Sequence, residues 1–482
     1  MENRGNFFNL TLNFQDNSRK YIFVGLPFLF LWCVFFFLNW FFPLPEHRIF
    51  PPVSTVVRAE DAQLLRIFIA RDGMWRMHTG LPDISRLHQR LVLAYEDQWF
   101  YWHPGINPVA IGRAALTNLK AGKIRVGGST LTMQIARLIE PKSRNFSAKI
   151  FESFRALQLE WRFSKKELLE IYFNLAPYGG NIEGVGAAAW LYFGKSPDAL
   201  SIGEISLLTA LPNSPTILRP DENPGAALAA RNKVLHRLRQ AEVISASELQ
   251  DALSESVPEK RQSVPFFAPH FCDLLKKKYP TASELRTTLN LGIQTICQNL
   301  LTEHVRGLRQ KAISNGAVVV IENATHHVKA LVGSADFFNQ NSSGQVNGAI
   351  APRSPGSALK PFVYALALDA GLISQKSILE DVPIDYSGYS PENFDSRYHG
   401  VVTVERALAQ SLNVPAVNLT AELKENSLYA LLKKTGFTTL NHPENHYGLP
   451  IILGACEVRL LELCQLYSAL ANQGAFFPVR FF

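Results

Sequence analysis

The chain is short of charge and of sulfur. Of its 482 residues, 18% are charged and 47% are apolar. That balance excludes a disordered chain and supplies enough apolar material for packed cores. There are five cysteines, Cys33, Cys272, Cys297, Cys456 and Cys464, and no two stand in a CxxC pair. Nothing in their spacing suggests a zinc site or a dithiol redox motif, and no disulfide pair can be named. No internal repeat or low-complexity tract occurs, which removes solenoid and repeat architectures. The sharpest absence is local. From Tyr21 to Pro45, YIFVGLPFLFLWCVFFFLNWFFPLP, there is no charged side chain.

Such a run is long enough to cross a bilayer as a helix. Pro27 near its start, and Asn39 and Trp40 near its end, suit the interfaces. No small-residue cleavage site follows, because PLPEHRIFPP is bulky and proline-rich. The segment reads as a signal anchor. Arg4, Arg19 and Lys20 favour a cytoplasmic N-terminus, with Arg48 and Arg58 beyond the run weakening the bias. The expected plan is a cytoplasmic tail over 1–20, a transmembrane anchor over 21–45 and an exterior remainder. Net charge is +7, which suits anionic lipid or a phosphate-bearing substrate as well as nucleic acid. The length suggests two to four domains.

The remainder divides by pattern. Residues 46–240 leave the anchor through an extended, proline-marked exit, to about residue 60, and then read as mostly helical. In SKKELLEIYFNLAPYGG, Ser164 and Glu167 form a capping box, and Pro177, Gly179 and Gly180 end the helix. SIGEISLLTALPNSP repeats that logic and stops at Pro212 and Pro215. Residues 241–310 are charged, lack chemical motifs and read as a linker. Residues 311–482 open with GAVVVIENATHHVKALVG, two strands around a polar turn. The adjacent His326 and His327 fit that turn better than a metal site.

Two stretches carry chemistry in the helical part. EDQWFYWHPG places Glu96 and Asp97 beside four aromatic rings. In GGSTLTMQIAR, glycines expose backbone N–H groups and Ser129 and Thr130 add hydroxyls where a helix begins, a setting for an anionic oxygen. Arg137, Lys142, Arg144 and Lys149 follow, then Glu152 with Arg155 at i+3. Two glutamates, hydroxyls and a cationic cluster together suit glycosyl transfer from a diphosphate donor. Each element alone is weak, since a solvated Glu–Asp pair and a glycine turn are common.

Read as ordered motifs, the region resembles the peptidoglycan glycosyltransferases of class A penicillin-binding proteins. EDQWFYWHPG matches the first motif and GGSTLTMQ the second. KIFESFRALQLEWRFSKKELLE, YFNLAPYGGNIEGVGAAAWLYFG and LLTALPNSPTILRP match the third, fourth and fifth. The resemblance implies a mostly α, lysozyme-like domain that polymerises lipid II into β-1,4 glycan strands with inversion. It makes Glu96 the general base on the acceptor 4-hydroxyl. Glu152 would assist at the donor diphosphate, directly or through a divalent cation, magnesium or manganese. It implies substrate-binding roles for Asp97, Ser129, Thr130, Gln134, Arg137, Lys149 and Asn174, and a structural role for His103. Ala148 stands where many relatives carry arginine, which should weaken diphosphate binding unless Arg144 substitutes. Residues 104–126 are expected as a membrane-hugging flap or an ordinary surface helix.

The last part holds a second constellation. RSPGSALKPF places Lys360 three residues after Ser357, one turn on if a helix starts at Ser357. AQSLNVPAV supplies Ser411 and Asn413. These match the SxxK and SxN motifs of penicillin-recognising serine enzymes, and their context resembles the 1C type of penicillin-binding protein. The resemblance implies a partial α/β serine transpeptidase domain with Ser357 as nucleophile. The third motif of that family, Lys-Thr/Ser-Gly, is not found on a strand. KTG at Lys434–Gly436 ends the amphipathic SLYALLKKTGF, so it reads as a helix end with Gly436 as C-cap. The true motif is expected beyond Phe482, and the domain is expected to be truncated.

The sequence therefore points to an inner-membrane, single-pass, periplasm-facing polymerase. Its expected partners are lipid II, the growing glycan, the membrane and other wall-synthesis proteins, and no nucleic acid. Two rivals stay open: a serine acyl-enzyme that binds β-lactams, and a non-enzymatic scaffold for wall synthesis.

Overall fold

The computed structural model describes residues 30, 32–121, 128–143 and 145–482. The tail and the first part of the expected anchor lie outside them, as do Gly127 and Arg144. Residues 32–41 are helical, and among the described residues no helix is long and apolar enough to cross a membrane. The chain forms two compact units. One joins Met1–Ser54 to Ile69–Ser263, and the other joins Thr55–Phe68 to Val264–Phe482.

The first unit is helical. Its elements are α1 (Arg86–Glu96), α2 (Pro108–Ala121), α3 (Leu131–Ile139), α4 (Phe146–Arg162), α5 (Lys165–Leu175), α6 (Val185–Phe193), α7 (Ile202–Ala210), α8 (Pro224–Gln240) and α9 (Ala246–Ser254). Local chemistry starts most of them. Ser85, Thr130, Asn145 and Asn223 accept from backbone N–H groups in the first turns of α1, α3, α4 and α8. Full capping boxes open α5 (Ser164, Glu167), α7 (Ser201, Glu204) and α9 (Ser245, Glu248). Gly194, left-handed at φ 67°, closes α6. α6 and α7 are apolar on nearly every face and run through the core. The flap region forms α2 over its described part.

The second unit mixes helices with small sheets. β1 (Thr55–Arg58) pairs antiparallel with β2 (Leu64–Phe68) and parallel with β3 (Glu284–Arg286). β4 (Val318–Glu322) and β5 (His327–Val332) form the expected hairpin, with Val318 opposite Val332. His326, at φ 60°, sits in its turn. β6 (Ile378–Asp381) pairs with β7 (Gly400–Thr403). The longer helices are α10 (Pro269–Lys278), α11 (Leu291–Leu308), α12 (Lys360–Asp369), α13 (Asn413–Glu422), α14 (Leu428–Lys434) and α15 (Leu460–Ala471). One core gathers Phe362, Val363, Leu419, Leu432 and Leu466. A second gathers Val57, Leu65, Phe271 and Leu331.

Two boundaries differ from the sequence reading. Residues 241–310 are not a bare linker: they hold α9, α10, β3 and α11, and Phe271, Cys272 and Leu275 are wholly buried. Most of their charged side chains are exposed, while Leu275, Leu301 and Val305 turn inward. Residues 55–68, expected in the helical domain, belong to the second unit because β1 pairs with a strand more than two hundred residues later, with Arg58 bonded to Glu284 at 2.7 Å. KTG lies where α14 ends, with Gly436 at φ 81° and no side-chain crowding.

Candidate active site

Glu96 is the last residue of α1. Gln134, one turn into α3, donates its amide to Glu96 Oε2 at 2.8 Å, and Asn213 donates to Oε1 at 3.3 Å. Burial pushes the carboxyl above its ordinary value. The two amides, then the charges of Arg237 and Arg137, pull the other way. A half-buried carboxylate held by neutral amides is a poised proton acceptor. Burial on α5 pushes the Tyr172 phenol well above its ordinary value, and the nearby Glu96 charge adds to the shift.

The start of α3 carries the second cluster. Ser129 accepts a hydrogen bond from Lys149 Nζ at 2.5 Å, and the same ammonium donates to Glu152 Oε2 at 2.8 Å. Lys149 and Glu152 sit one turn apart on α4. Glu152 therefore pairs with Lys149, not with Arg155 as the sequence spacing suggested. Arg155 turns to Glu140 at 2.6 Å. Thus Gln134 of α3 holds the proton acceptor Glu96, and Ser129, just before the N-cap of α3, holds the cation Lys149.

Asp97 does not face this space. It is buried, accepts from Leu131 N at 2.8 Å and lies 3.0 Å from His103 Nε2 through both oxygens. Gly105 N donates to His103 Nδ1 at 3.2 Å, so Nε2 carries the proton given to Asp97. The anionic oxygen suited to the α3 N-terminus is thus the protein's own. Thr130 is also buried, capping α3 and donating to Gly105 O at 2.5 Å. Asn174 lies elsewhere, exchanging bonds with the Thr79 backbone at 3.0 and 2.8 Å. Asp97, Thr130 and Asn174 are scaffold for the site, not its lining. Asn213 and Arg237 also act on Glu96 and escape sequence reasoning, because Asn213 carries no distinguishing signal within LPNSP and Arg237 lies on α8 beyond every matched motif.

The Ser129–Lys149–Glu152 cluster offers one carboxylate to a divalent ion. Among the described residues no three carboxylate, histidine or cysteine side chains gather. Glu152 already has an ammonium partner.

The serine cluster belongs to the second unit. Gly356–Leu359 form a 3-10 turn, and the α-helix begins at Lys360 instead of Ser357. Lys360 is 1% exposed. Its Nζ donates to Asn413 Oδ1 at 2.7 Å and to Ser411 through the backbone oxygen at 2.5 Å and the hydroxyl at 3.2 Å. Burial pulls its ammonium down to about 8. Ser411 takes φ 55°, an uncommon conformation for a side-chain-bearing residue. Ser357 is exposed, and Lys360's ammonium is hydrogen-bonded to Ser411 and Asn413, not to it. The structure brings Lys360, Ser411 and Asn413 together and leaves Ser357 beside them.

Comparison with known proteins bears on both clusters. Residues 62–239 match the Transglycosylase family, and residues 316–482 match the Penicillin binding protein transpeptidase domain. Both domains therefore occur in one chain, in that order. In this it is similar to the class A penicillin-binding proteins. It is 40% identical to Penicillin-binding protein 1C of Escherichia coli over 90% of this chain and 56% of that protein. It is 28% identical to Penicillin-binding protein 1A of Aquifex aeolicus over 90% of this chain and 73% of that one. A crystal structure of Penicillin-Binding Protein 1A from Haemophilus influenzae aligns with 89% of this chain and 70% of that one, at 19% identity and a TM-score of 0.47. The chain thus spans little more than half the length of its 1C relative.

Proposed function

We propose that the first unit polymerises a lipid-linked disaccharide diphosphate, lipid II, into β-1,4 glycan strands. The observation that carries this reading is that α3 ties two groups together: its Gln134 holds the Glu96 carboxylate, and Ser129, just before its start, meets Lys149 and through it Glu152. Glu96 takes the proton of an acceptor 4-hydroxyl as that oxygen attacks the anomeric carbon of the donor. The carbon–oxygen bond to the diphosphate breaks with inversion, and the departing negative charge is received by Lys149, Ser129 and Arg137. A magnesium or manganese ion carried in on the diphosphate would meet Glu152 as a protein ligand.

The uncharged run 21–45 anchors this unit in the bacterial inner membrane, with the catalytic units on the periplasmic side. Trp32, Phe37, Trp40 and Phe41 are more than half exposed on the described part of that segment, as a lipid-facing surface requires. Other wall-synthesis proteins are natural partners. Incubating the purified chain with labelled lipid II tests the reading, with polymer in wild type and none in Glu96→Gln expected.

A second reading concerns the second unit. A buried Lys360 lowered to about 8 beside Ser411 and Asn413 suits a serine acyl-enzyme that reacts with β-lactams. Covalent labelling by a fluorescent penicillin, lost in Ser357→Ala, is its test.

A further inference from the structure

The helix that carries Lys149 and Glu152 has another face. Arg155 and Gln158 on α4 are 6% and 1% exposed, yet neither serves the glycosyl-transfer cluster. Arg155 Nη1 donates to the carbonyls of Phe42 at 2.7 Å and Pro43 at 3.0 Å, and to Gln158 Oε1 at 2.7 Å. Gln158 Nε2 donates to Phe42 O at 2.8 Å and Asn39 Oδ1 at 2.7 Å. Glu140 balances the buried guanidinium at 2.6 Å. All these acceptors on the N-terminal side lie at or just past the end of the helical residues 32–41, where carbonyls have no partner within their own helix. A cation there also meets the negative end of the helix dipole. Ring edges continue the contact along α4, with Phe36 on Trp161 at 5.2 Å and Phe35 on Phe154 at 6.2 Å.

We propose that Arg155 and Gln158 are a latch that clamps the membrane exit of the chain to α4 and so sets the height of Lys149 and Glu152 above the lipid surface. The inference rests on the membrane-anchor reading given above. Its physical reason is geometric. A lipid-linked diphosphate cannot choose its height, because the lipid holds it at the headgroup layer. The groups that receive it must be held at that level. Arg155 lies three residues from Glu152, about 4.5 Å along the helix axis, so a fixed exit leaves the cluster little freedom to float. A flexible tether of the same length would retain the protein on the membrane and lose the level. Arg155 and Gln158 are thus positioning residues for a lipid-borne substrate, and a substrate free in solution has no need of them.

The test compares two substrates on the full chain in phospholipid vesicles. One is the disaccharide diphosphate on its long lipid, resident in the bilayer. The other is a short-chain, water-soluble analogue. Arg155→Gln and, as a milder second variant, Gln158→Leu are measured beside wild type, with thermal melts to establish folding. The expected result is a fall of about tenfold or more on the bilayer substrate, since an error of about 1 Å can cost on the order of 10²-fold, with the soluble analogue within about twofold of wild type. An equal loss on both substrates overturns the latch, because it would mean general damage to the site. No loss on either in both variants overturns it as well. Should Arg155→Gln fail to fold, Gln158→Leu decides by the same ratio. Flotation of wild type with the vesicles separates the two readings. A chain that stays in solution overturns the anchor and the latch with it, whereas a floating chain with an unchanged substrate ratio overturns the latch alone.

Discussion

Replacing Glu96 by glutamine removes the proton acceptor and keeps its shape. Glutamine retains an oxygen for the 2.8 Å bond from Gln134, but its amide then meets the amide of Asn213, now 3.3 Å from an acceptor. That mismatch costs about 1 kcal/mol. Against it, a carboxylate whose ionised form is disfavoured by burial is gone. The two effects oppose, so Tm should stay within about 4 °C of wild type. The rate should not. Loss of a general base costs about 10²–10⁴-fold, or about 3–5 kcal/mol in barrier height. Polymer formed from labelled lipid II, resolved on a gel under initial-rate conditions, measures it. The melts carry a second, independent sign. The folded carboxyl lies above its ordinary value, so its contribution to stability is present in acid and lost as pH rises through the folded value. Glu96→Gln cannot titrate there. Its Tm should therefore gain on that of wild type as pH rises from about 4 through the folded value. A wild-type polymerisation rate in a folded Glu96→Gln chain refutes the assignment. A Tm difference that runs the opposite way with pH refutes the account of burial.

Four further outcomes follow from the same structure. Arg237→Gln removes a cation that helps hold Glu96 ionised, so the acid limb of the rate profile should move to higher pH, Arg237→Lys should restore it, and the shift should shrink at high salt because Arg237 is exposed; an unmoved limb argues against any such influence. Gly105→Ala, with φ 87° and an added carbon 2.9 Å from Ala156 O, should cost about 2 kcal/mol or more and lower Tm by about 4–8 °C, as a thermal melt would read. Penicillin labelling at Ser357 should rise with pH and level off above about 8, as the Lys360 amine becomes neutral; labelling that is flat across this range removes Lys360 as the base. Lys434→Ala, at the end of α14, should leave that labelling unchanged, and abolition with the fold intact would return KTG to the site.

Local rules in this chain were legible because they act over one turn or one pleat. The capping boxes at Ser164 and Ser201, the hairpin around His326 and the helix end at Gly436 each depend on residues within a few positions, whose dihedrals and hydrogen bonds the side chains themselves dictate. Matched motifs also carried the reading to Glu96, Gln134, Lys149 and Glu152. What a motif could not say is which way a side chain turns once its helix is packed. Asp97 follows Glu96 directly, yet one ends in scaffold beneath α3 and the other in the site, because the chain leaves α1 between them. Arg155 was read with Glu152 from their spacing, but its partners come from Glu140 and the exit of the N-terminal helix. β1 finds β3 across the whole helical unit, and no window of sequence around Thr55 encodes a strand that distant. The identity of each group was written in the chain. Its ionisation and its partner were decided by burial and by contacts that close only when remote segments pack.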